Sequence, residues 1–505
     1  MKKLLKWLDN NILKIVLVGY IFFIPLFPKI PFKMVDYTYI AIRFEDFFVA
    51  IIYILFVLQL LRRKVALNKK YLILFSLFWI AVFISFYLGF FVQKTIVIKN
   101  VGFLNALRRV EYMAIFFVFA AVVKSWKDVK FYLRLILVVF AIVCLYGLGQ
   151  KYLGWPAVQT MNPEYAKGYF LVLDSFARIS STFAGHYDLA AYLILFIPVI
   201  LALTIQMNPW FFALFLIALS NLVLTASRVS YGAYIASAFP FLLWNKKYKL
   251  IIIVIVATVG MTLLSNNLTN RLSRTFQVKQ VFVDRTSGQV TVPRKIQADD
   301  LPPGDFVLGT GGTGVNATSV NTKDSQEAQN NIRDQIREQA RKQGRTLTKS
   351  QEDALLESAL NNMKVIQTVV PDISVATRLQ VEWPRAIRAF LKYPIFGKGP
   401  SAITEATDND YLRWIGEFGA VGTLLFLVIL GKLFCDIFKE VRKKDSHWVL
   451  LLGVLAGFGG LLVNATYIDV FEASKVAFVF WMFMGIFIGY ISSLPDKKNL
   501  ANKKI

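Results

Sequence analysis

Cysteine and histidine are each present only twice in 505 residues, and acidic residues are few. Each shortage excludes something. Cys144 and Cys435 lie in or beside long apolar stretches, so no disulfide framework staples the polar parts of the chain. His186 and His447 are far apart, with no cysteine near either, which removes the usual zinc ligand set. Charged residues make up 18% of the chain against 56% hydrophobic ones, a balance foreign to an ordinary soluble domain. Asp and Glu number 32 against 57 Lys and Arg, leaving a net charge of +25. In a soluble protein that excess would point to nucleic acid. Here the charge sorts by loop, and nucleic acid is not an expected partner.

What the chain has is apolar length. Stretches at roughly 11–28, 45–62, 70–92, 104–123, 130–149, 187–206, 209–226, 229–244, 248–265, 411–433, 448–466 and 474–493 approach the ~20 residues that cross a bilayer. The expected fold is an all-α polytopic membrane protein of about twelve transmembrane helices. Met1-Lys2-Lys3 leads into the first stretch without a small-residue cleavage site before Pro25 and Pro28, which reads as a retained span. Lys2, Lys3 and Lys6, Arg62 to Lys70, Lys124 to Lys130, Lys246 to Lys249, Lys439 to Lys444 and the final lysines share one side if the spans alternate. The positive-inside rule makes that side cytoplasmic, with both termini there. The expected location is a cytoplasmic (inner) membrane, with one large extracytoplasmic loop.

That organisation divides the chain into 1–265, a transmembrane region; 266–373, an extracytoplasmic insertion of mixed α/β or helical character; 374–410, an amphipathic helix and loop; and 411–505, a closing transmembrane region with a basic tail. Within the insertion, Val281-Phe282-Val283 and Val290-Thr291-Val292 flank Thr286-Ser287-Gly288 in a hairpin pattern. Residues 308–321 read as a loop, and 323–369 as two helices broken near Gly344. Leu379, Trp383, Ile387 and Phe390 recur at helical spacing before Pro394, the pattern of an interfacial amphipathic helix.

Gly309 to Gly314 lacks the Lys-Ser/Thr, the strand and the helix of a nucleotide-binding loop, and reads as a loop. Gly397-Lys398-Gly399 admits two readings, a turn or a close backbone approach to phosphate. Gly416, Gly419 and Gly422 lie three apart, as helices in close contact require. Arginines at membrane depth are costly. Arg108 and Arg109 begin one span, Arg178 precedes Ser180-Ser181-Thr182-Phe183, Arg228 sits at a tight turn, and Arg378 lies on the amphipathic helix. Singly, each reads as a snorkelling interfacial side chain. Together on the outer side they suit a shared anionic ligand, because the planar guanidinium donates paired bonds and never deprotonates. His186 is outer as well, in a structural or a substrate-contacting role. Asn409, Arg413 and Glu417 share a helix face at i, i+4 spacing. Asp408 and Asn409 read either as a helix cap or as a carboxylate able to take a hydroxyl proton.

The ordered motifs are Arg178-Ile179-Ser180-Ser181-Thr182-Phe183 with Gly185-His186, Ser227-Arg228, Thr377-Arg378 with Trp383, Pro394 to Pro400, and Asp408-Asn409 before Gly416-Glu417-Phe418-Gly419. In this order and topology the chain resembles the O-antigen ligase and polymerase superfamily, best over 175–265 and 374–430. The resemblance implies a GT-C-like fold and inverting glycan transfer without cofactor or metal. A polyprenyl-pyrophosphate-linked glycan is the implied donor, and a glycan, lipid or protein hydroxyl the acceptor, among membrane lipids. By motif, Arg228 and Arg378 match the pyrophosphate-binding arginines. Asp408 stands where the ligases carry the proposed base, a histidine. The implied site is Asp408, Arg228 and Arg378, with Arg109, Arg178, His186, Asn409 and Arg413 on substrate. Two other readings stay open: a transporter or flippase, and a non-catalytic anchor whose outer segment binds a partner.

Overall fold

A computed structural model describes residues 2–34, 41–160, 165–174, 177–273, 276–284, 290–291, 315–316, 333–334, 336–338, 340–341, 347–361, 363–371, 375, 377–403 and 407–494. They form two compact units, one of residues 1–269 and 385–505, the other of 270–384.

The first unit is helical. Its helices are α1 (Lys2–Leu26), α2 (Phe44–Leu61), α3 (Lys69–Tyr87), α4 (Lys99–Val122), α5 (Trp126–Tyr152), α6 (His186–Gln206), α7 (Phe211–Leu224), α8 (Arg228–Trp244) and α9 (Tyr248–Leu263). The short α10 (Asn266–Ser273) and α11 (Lys349–Asn361) precede α12 (Trp383–Lys392). Then come α13 (Asp410–Arg442), α14 (Trp448–Asn464) and α15 (Ser474–Ser493). Every predicted apolar stretch is helical, although α1 starts well before 11 and α7 is shorter than its stretch. Seven helices among the described residues are long and apolar enough to cross a membrane, and α7, α9 and α14 are shorter apolar helices. The chain is therefore a polytopic helical integral membrane protein.

Local chemistry fixes several helix starts. Ser125 and Asp128 form a reciprocal capping box on α5, and the Asn68 side chain accepts from Lys70 N at the head of α3. Helices α6 and α15 are apolar on all faces and buried along nearly their whole length, as central helices must be. Helix α14 lies against α6 through Gly453, Gly457 and Gly460. A Cβ on Gly457 would collide with the Leu195 carbonyl, so only glycine permits this approach. Helix α9 buries only Val254 and Thr258 and leaves an apolar outer face.

Helix α13 is not continuous. Gly419 has φ 65° and ψ −166°, which interrupts the helix in a conformation essentially reserved for glycine. The segment Pro394 to Gly399 pairs with the break: Lys398 N donates to Gly416 O at 2.8 Å and Gly399 N to Glu417 O at 3.0 Å. In return Ala420 N donates to Pro394 O at 2.8 Å and Val421 N to Ile395 O at 3.1 Å. Ser85 Oγ adds a donor to Glu417 O at 2.7 Å. The expectation of glycines spaced for helix contact holds at Gly416, which lies against Ala386 of α12, and is corrected at Gly419, which makes the break and where a Cβ would strike the Ile395 carbonyl. The phosphate-cradle reading of Gly397-Lys398-Gly399 is corrected too. Gly397 N donates to Tyr393 O at 3.0 Å, so all three N–H groups have protein partners.

The first unit also holds two short antiparallel pairs, β1 (Pro31–Met34) with β2 (Ala41–Arg43) and β3 (Pro156–Ala157) with β4 (Leu171–Val172). In the second unit, β5 (Phe276–Asp284) pairs antiparallel along its length with β8 (Met363–Pro371), with β6 (Val290–Thr291) and β7 (Val315–Asn316) outside them in the order β6-β5-β8-β7. The hairpin strands meet as Phe282 with Thr291 and Val283 with Val290. The turn 286–288, the glycine run 309–314 and residues 323–332 lie outside the described residues. Residues 363–369, read as helix, form strand instead. The β-branched Val365, Ile366, Thr368, Val369 and Val370 favour extended backbone, and a long-range partner outweighs a local helical pattern. Arg333 and Arg337 bond to Glu352 and Asp353 of α11, with Arg333 to Asp353 at 2.8 Å and Arg337 to Glu352 at 2.9 Å.

Replacing Gly419 with alanine is expected to cost about 1–3 kcal/mol of backbone strain, with the steric clash in addition. Thermal inactivation of the purified protein in detergent checks this; an unchanged midpoint would contradict the role given to the break.

Candidate functional site

Helix ends and short connections converge on a cavity of about 250 Å³ in the first unit. Its cationic lining is Lys29, Arg43, Arg108 and Arg413, and its carboxylates are Asp188, Asp408, Asp469 and Glu472. Lys29 and Arg43 come from the connection after α1, where β1 (Pro31–Met34) pairs with β2 (Ala41–Arg43). Arg108 projects from the first turns of α4, and its Nη2 donates to Ala41 O at 2.9 Å. Asp188 is in the first turn of α6. Asp469 and Glu472 sit between α14 and α15, and Asp408 just precedes α13 with φ 51°.

One wall is an ion network. Arg413 Nη1 donates to Asp469 Oδ2 at 3.0 Å, and its Nε lies 3.3 Å from Glu417 Oε1. Arg109 pairs with Glu472 and lies 3.8 Å from Glu417. Glu417 also accepts from Ser401 N at 3.1 Å, so the broken helix and the loop before it are tied at one carboxylate. Asp469 accepts from Thr407 N at 2.9 Å and Asn409 N at 3.0 Å. Burial alone would raise the Glu472 carboxyl, but the Arg109 and Arg413 guanidiniums outweigh it and hold it below its ordinary range.

The opposite cations are less engaged. Lys29 is 4% exposed, and burial followed by the Arg43 charge pushes its ammonium down to about 8. Glu45 is paired instead with Ser474 Oγ at 2.8 Å and lies 4.0 Å from Arg43. Lys475, which is not among the described lining residues, donates to Pro25 O at 3.1 Å and Thr182 O at 2.6 Å.

Of the sequence-derived candidates, Asp408 and Arg413 line the cavity. Asn409 caps α13, its side chain accepting from Leu412 N at 3.0 Å and donating to Thr466 O at 2.8 Å. The cap reading is the one the structure adopts for Asn409, and Arg413 and Glu417 do meet on its helix face. Arg109 stands behind the cavity in the ion network. Arg178 lies over the Tyr187 ring at 5.8 Å, and Tyr187 lines the cavity. His186 begins α6 and is buried. Arg228 heads α8 after Ala226 at φ 48°, and neither it, Arg178 nor His186 is among the described lining residues. Near it, Ser227 Oγ donates to Ser230 Oγ and Ser230 Oγ to Asn464 Oδ1 at 3.0 Å, fixing that turn to α14. Arg378 belongs to the second unit, on a π-helical turn Arg378–Glu382.

Sequence reasoning missed Lys29, Arg43, Asp188, Asp469 and Glu472 as site residues. A signal existed: Phe27-Pro28-Lys29 and Ile468-Asp469-Val470-Phe471-Glu472 place charge inside apolar surroundings, where it is expensive without a partner.

Residues 213–427 match the family model described as O-antigen ligase. The match supports the O-antigen ligase and polymerase superfamily for that region. A search of curated proteins finds no significant match. The family supports glycosyltransferase-type transfer in polysaccharide biosynthesis, on lipid-linked glycans in general, by an integral inner-membrane protein. The matched region contributes Ser401, Asp408 and Arg413 to the cavity, and other lining residues lie outside it on both sides.

Arg413→Leu leaves Glu417 and Asp469 buried against a missing charge, and is expected to cost about 3–5 kcal/mol. Thermal inactivation of the variant checks this; wild-type stability would show that the network does not hold the site.

Proposed function

We propose that the protein transfers a glycan from a polyprenyl-pyrophosphate donor to an acceptor hydroxyl, with inversion, at the outer face of the cytoplasmic membrane. The observation that carries the reading is the cavity itself, where cations and carboxylates face one space at the ends of apolar helices. The helix ends that surround it are those opposite the lysine-rich connections, which the positive-inside rule assigns to the cytoplasm together with both termini. The same rule assigns residues 270–384 to the extracytoplasmic side.

The chemistry suits these groups. Asp408 accepts the proton of the acceptor hydroxyl as its oxygen attacks the anomeric carbon. The bond to the pyrophosphate oxygen breaks, and the leaving group gains negative charge as it goes. Fixed guanidiniums stabilise that charge without reorganising, and a low-dielectric surround strengthens the effect. Arg43 and Arg108 line the cavity for this task; for Arg228 and Arg378 the assignment rests on motif position. His186, Arg178, Arg109, Asn409 and Arg413 hold the substrate or the groups that touch it.

The expected outcome for Asp408→Asn is a fall in transfer of about 10²–10⁴-fold with the protein still in the membrane. Arg228→Ala and Arg378→Ala are each expected to lower transfer by about 10²–10³-fold. Purified protein incubated with a polyprenyl-pyrophosphate glycan gives the readout, and the product tells a longer lipid-linked chain from a glycosylated lipid or protein. Full activity in the two arginine variants would remove them from the site. An unchanged pH–rate profile in Asp408→Asn would remove Asp408 as the base. Vesicles that move the lipid-linked glycan across the bilayer without altering it would favour a transporter.

A further inference from the structure

Lys29 is a buried ammonium that lines the cavity, with no hydrogen bond or ion pair among the described residues. A lysine side chain 4% exposed at a membrane edge costs free energy unless something compensates it. The charged groups that face it are Arg43 from β2, Glu45 from α2, Arg108 from α4 and Asp188 from α6. Glu45 is already engaged by Ser474 and lies beside Arg43. Lys475, the other buried lysine nearby, is used up on two backbone carbonyls. Lys29, Arg43 and Arg108 thus line one cavity, with Asp188 the carboxylate of that lining that faces Lys29.

We infer that Lys29, with Arg43 and Arg108, binds the diphosphate group of the donor, and that binding loads a proton onto Lys29. This rests on the proposed reaction but not on any of its catalytic steps. The cavity fits the arrangement: two guanidiniums supply permanent charge, and the flexible ammonium supplies three donors and the only charge among the three that can be withdrawn. Below pH 8 the ammonium is already protonated, and a diphosphate meets three cations. Above pH 8 the empty cavity holds a neutral amine, and an arriving dianion draws a proton from solvent to it. Affinity for the diphosphate thus falls as pH rises through about 8.

Calorimetric titration of the full-length protein in nanodiscs with geranyl diphosphate tests this. The probe's last phosphate ionisation, near 6 as in a phosphomonoester, is complete at the working pH of 8.5. Run in two buffers of different ionisation enthalpy, wild type is expected to take up a proton on binding. Lys29→Arg is expected to bind within a few-fold of wild type with no proton uptake. Lys29→Met is expected to bind about 10- to 100-fold more weakly, the worth of one charge-assisted hydrogen bond. Proton uptake persisting in Lys29→Arg, undiminished binding in Lys29→Met, or no binding of the probe by wild type would each overturn the inference. Binding with proton uptake but no glycan product from any donor would instead sink the proposed reaction and leave the subsite standing.

Discussion

Inside an apolar bundle, a backbone carbonyl or N–H that loses its helical partner has no water to turn to, and each costs several kcal/mol in hydrocarbon. The break at Gly419 releases such groups near the third turn of the 33-residue α13, and the segment 394–399 takes them up by pairing as an extended strand would. The same pairing anchors Lys398 and Gly399 to residues Gly416 and Glu417 and so sets where Ser401 and the Glu417 side chain meet. Removing the break would straighten α13 and carry Arg413 and Glu417 out of register with Asp469 and Glu472. The cavity wall follows from that one satisfied irregularity.

Buried charge is the second constraint, and it depends on the first. Arg109 and Arg413 share Glu417, Asp469 and Glu472, two guanidiniums among three carboxylates. Such a network adds little net stability over an apolar replacement, yet losing one member is expensive because the others stay buried. Its use is positional: it holds the connections before α13 and before α15 together while Asp408, at φ 51°, faces the cavity beside it. Paired acids make poor bases. Asp469 accepts from two backbone N–H groups and the Arg413 guanidinium, and Glu472 pairs with Arg109.

The sequence showed the helices well because bilayer crossing needs long apolar runs, and those are visible one residue at a time. It showed Asn409, Arg413 and Glu417 on a common face because i, i+4 spacing is local. It missed the partners of that face, Asp469 and Glu472, because they stand more than fifty residues away and no local pattern names them. The 363–371 strand was missed for the same reason: its polar neighbours read as helix, and only pairing with 276–284 settles its form. Gly419 was visible as a residue, but its role was not, since a glycine in a helix reads as close contact until the backbone shows a positive φ.

Lys29 carries the same lesson into electrostatics. In the sequence it is one basic residue after two prolines, indistinguishable from a snorkelling end charge. In the fold it is enclosed, and its neighbours Arg43 and Arg108 repel it while Glu45 and Asp188 attract it less than burial opposes it. An arginine in its place would stay charged under any of these pressures. A lysine poised near neutrality makes the cationic wall responsive. Its charge rises with the dianion and relaxes when the dianion leaves, so the field that binds the diphosphate group is strongest while that group is present.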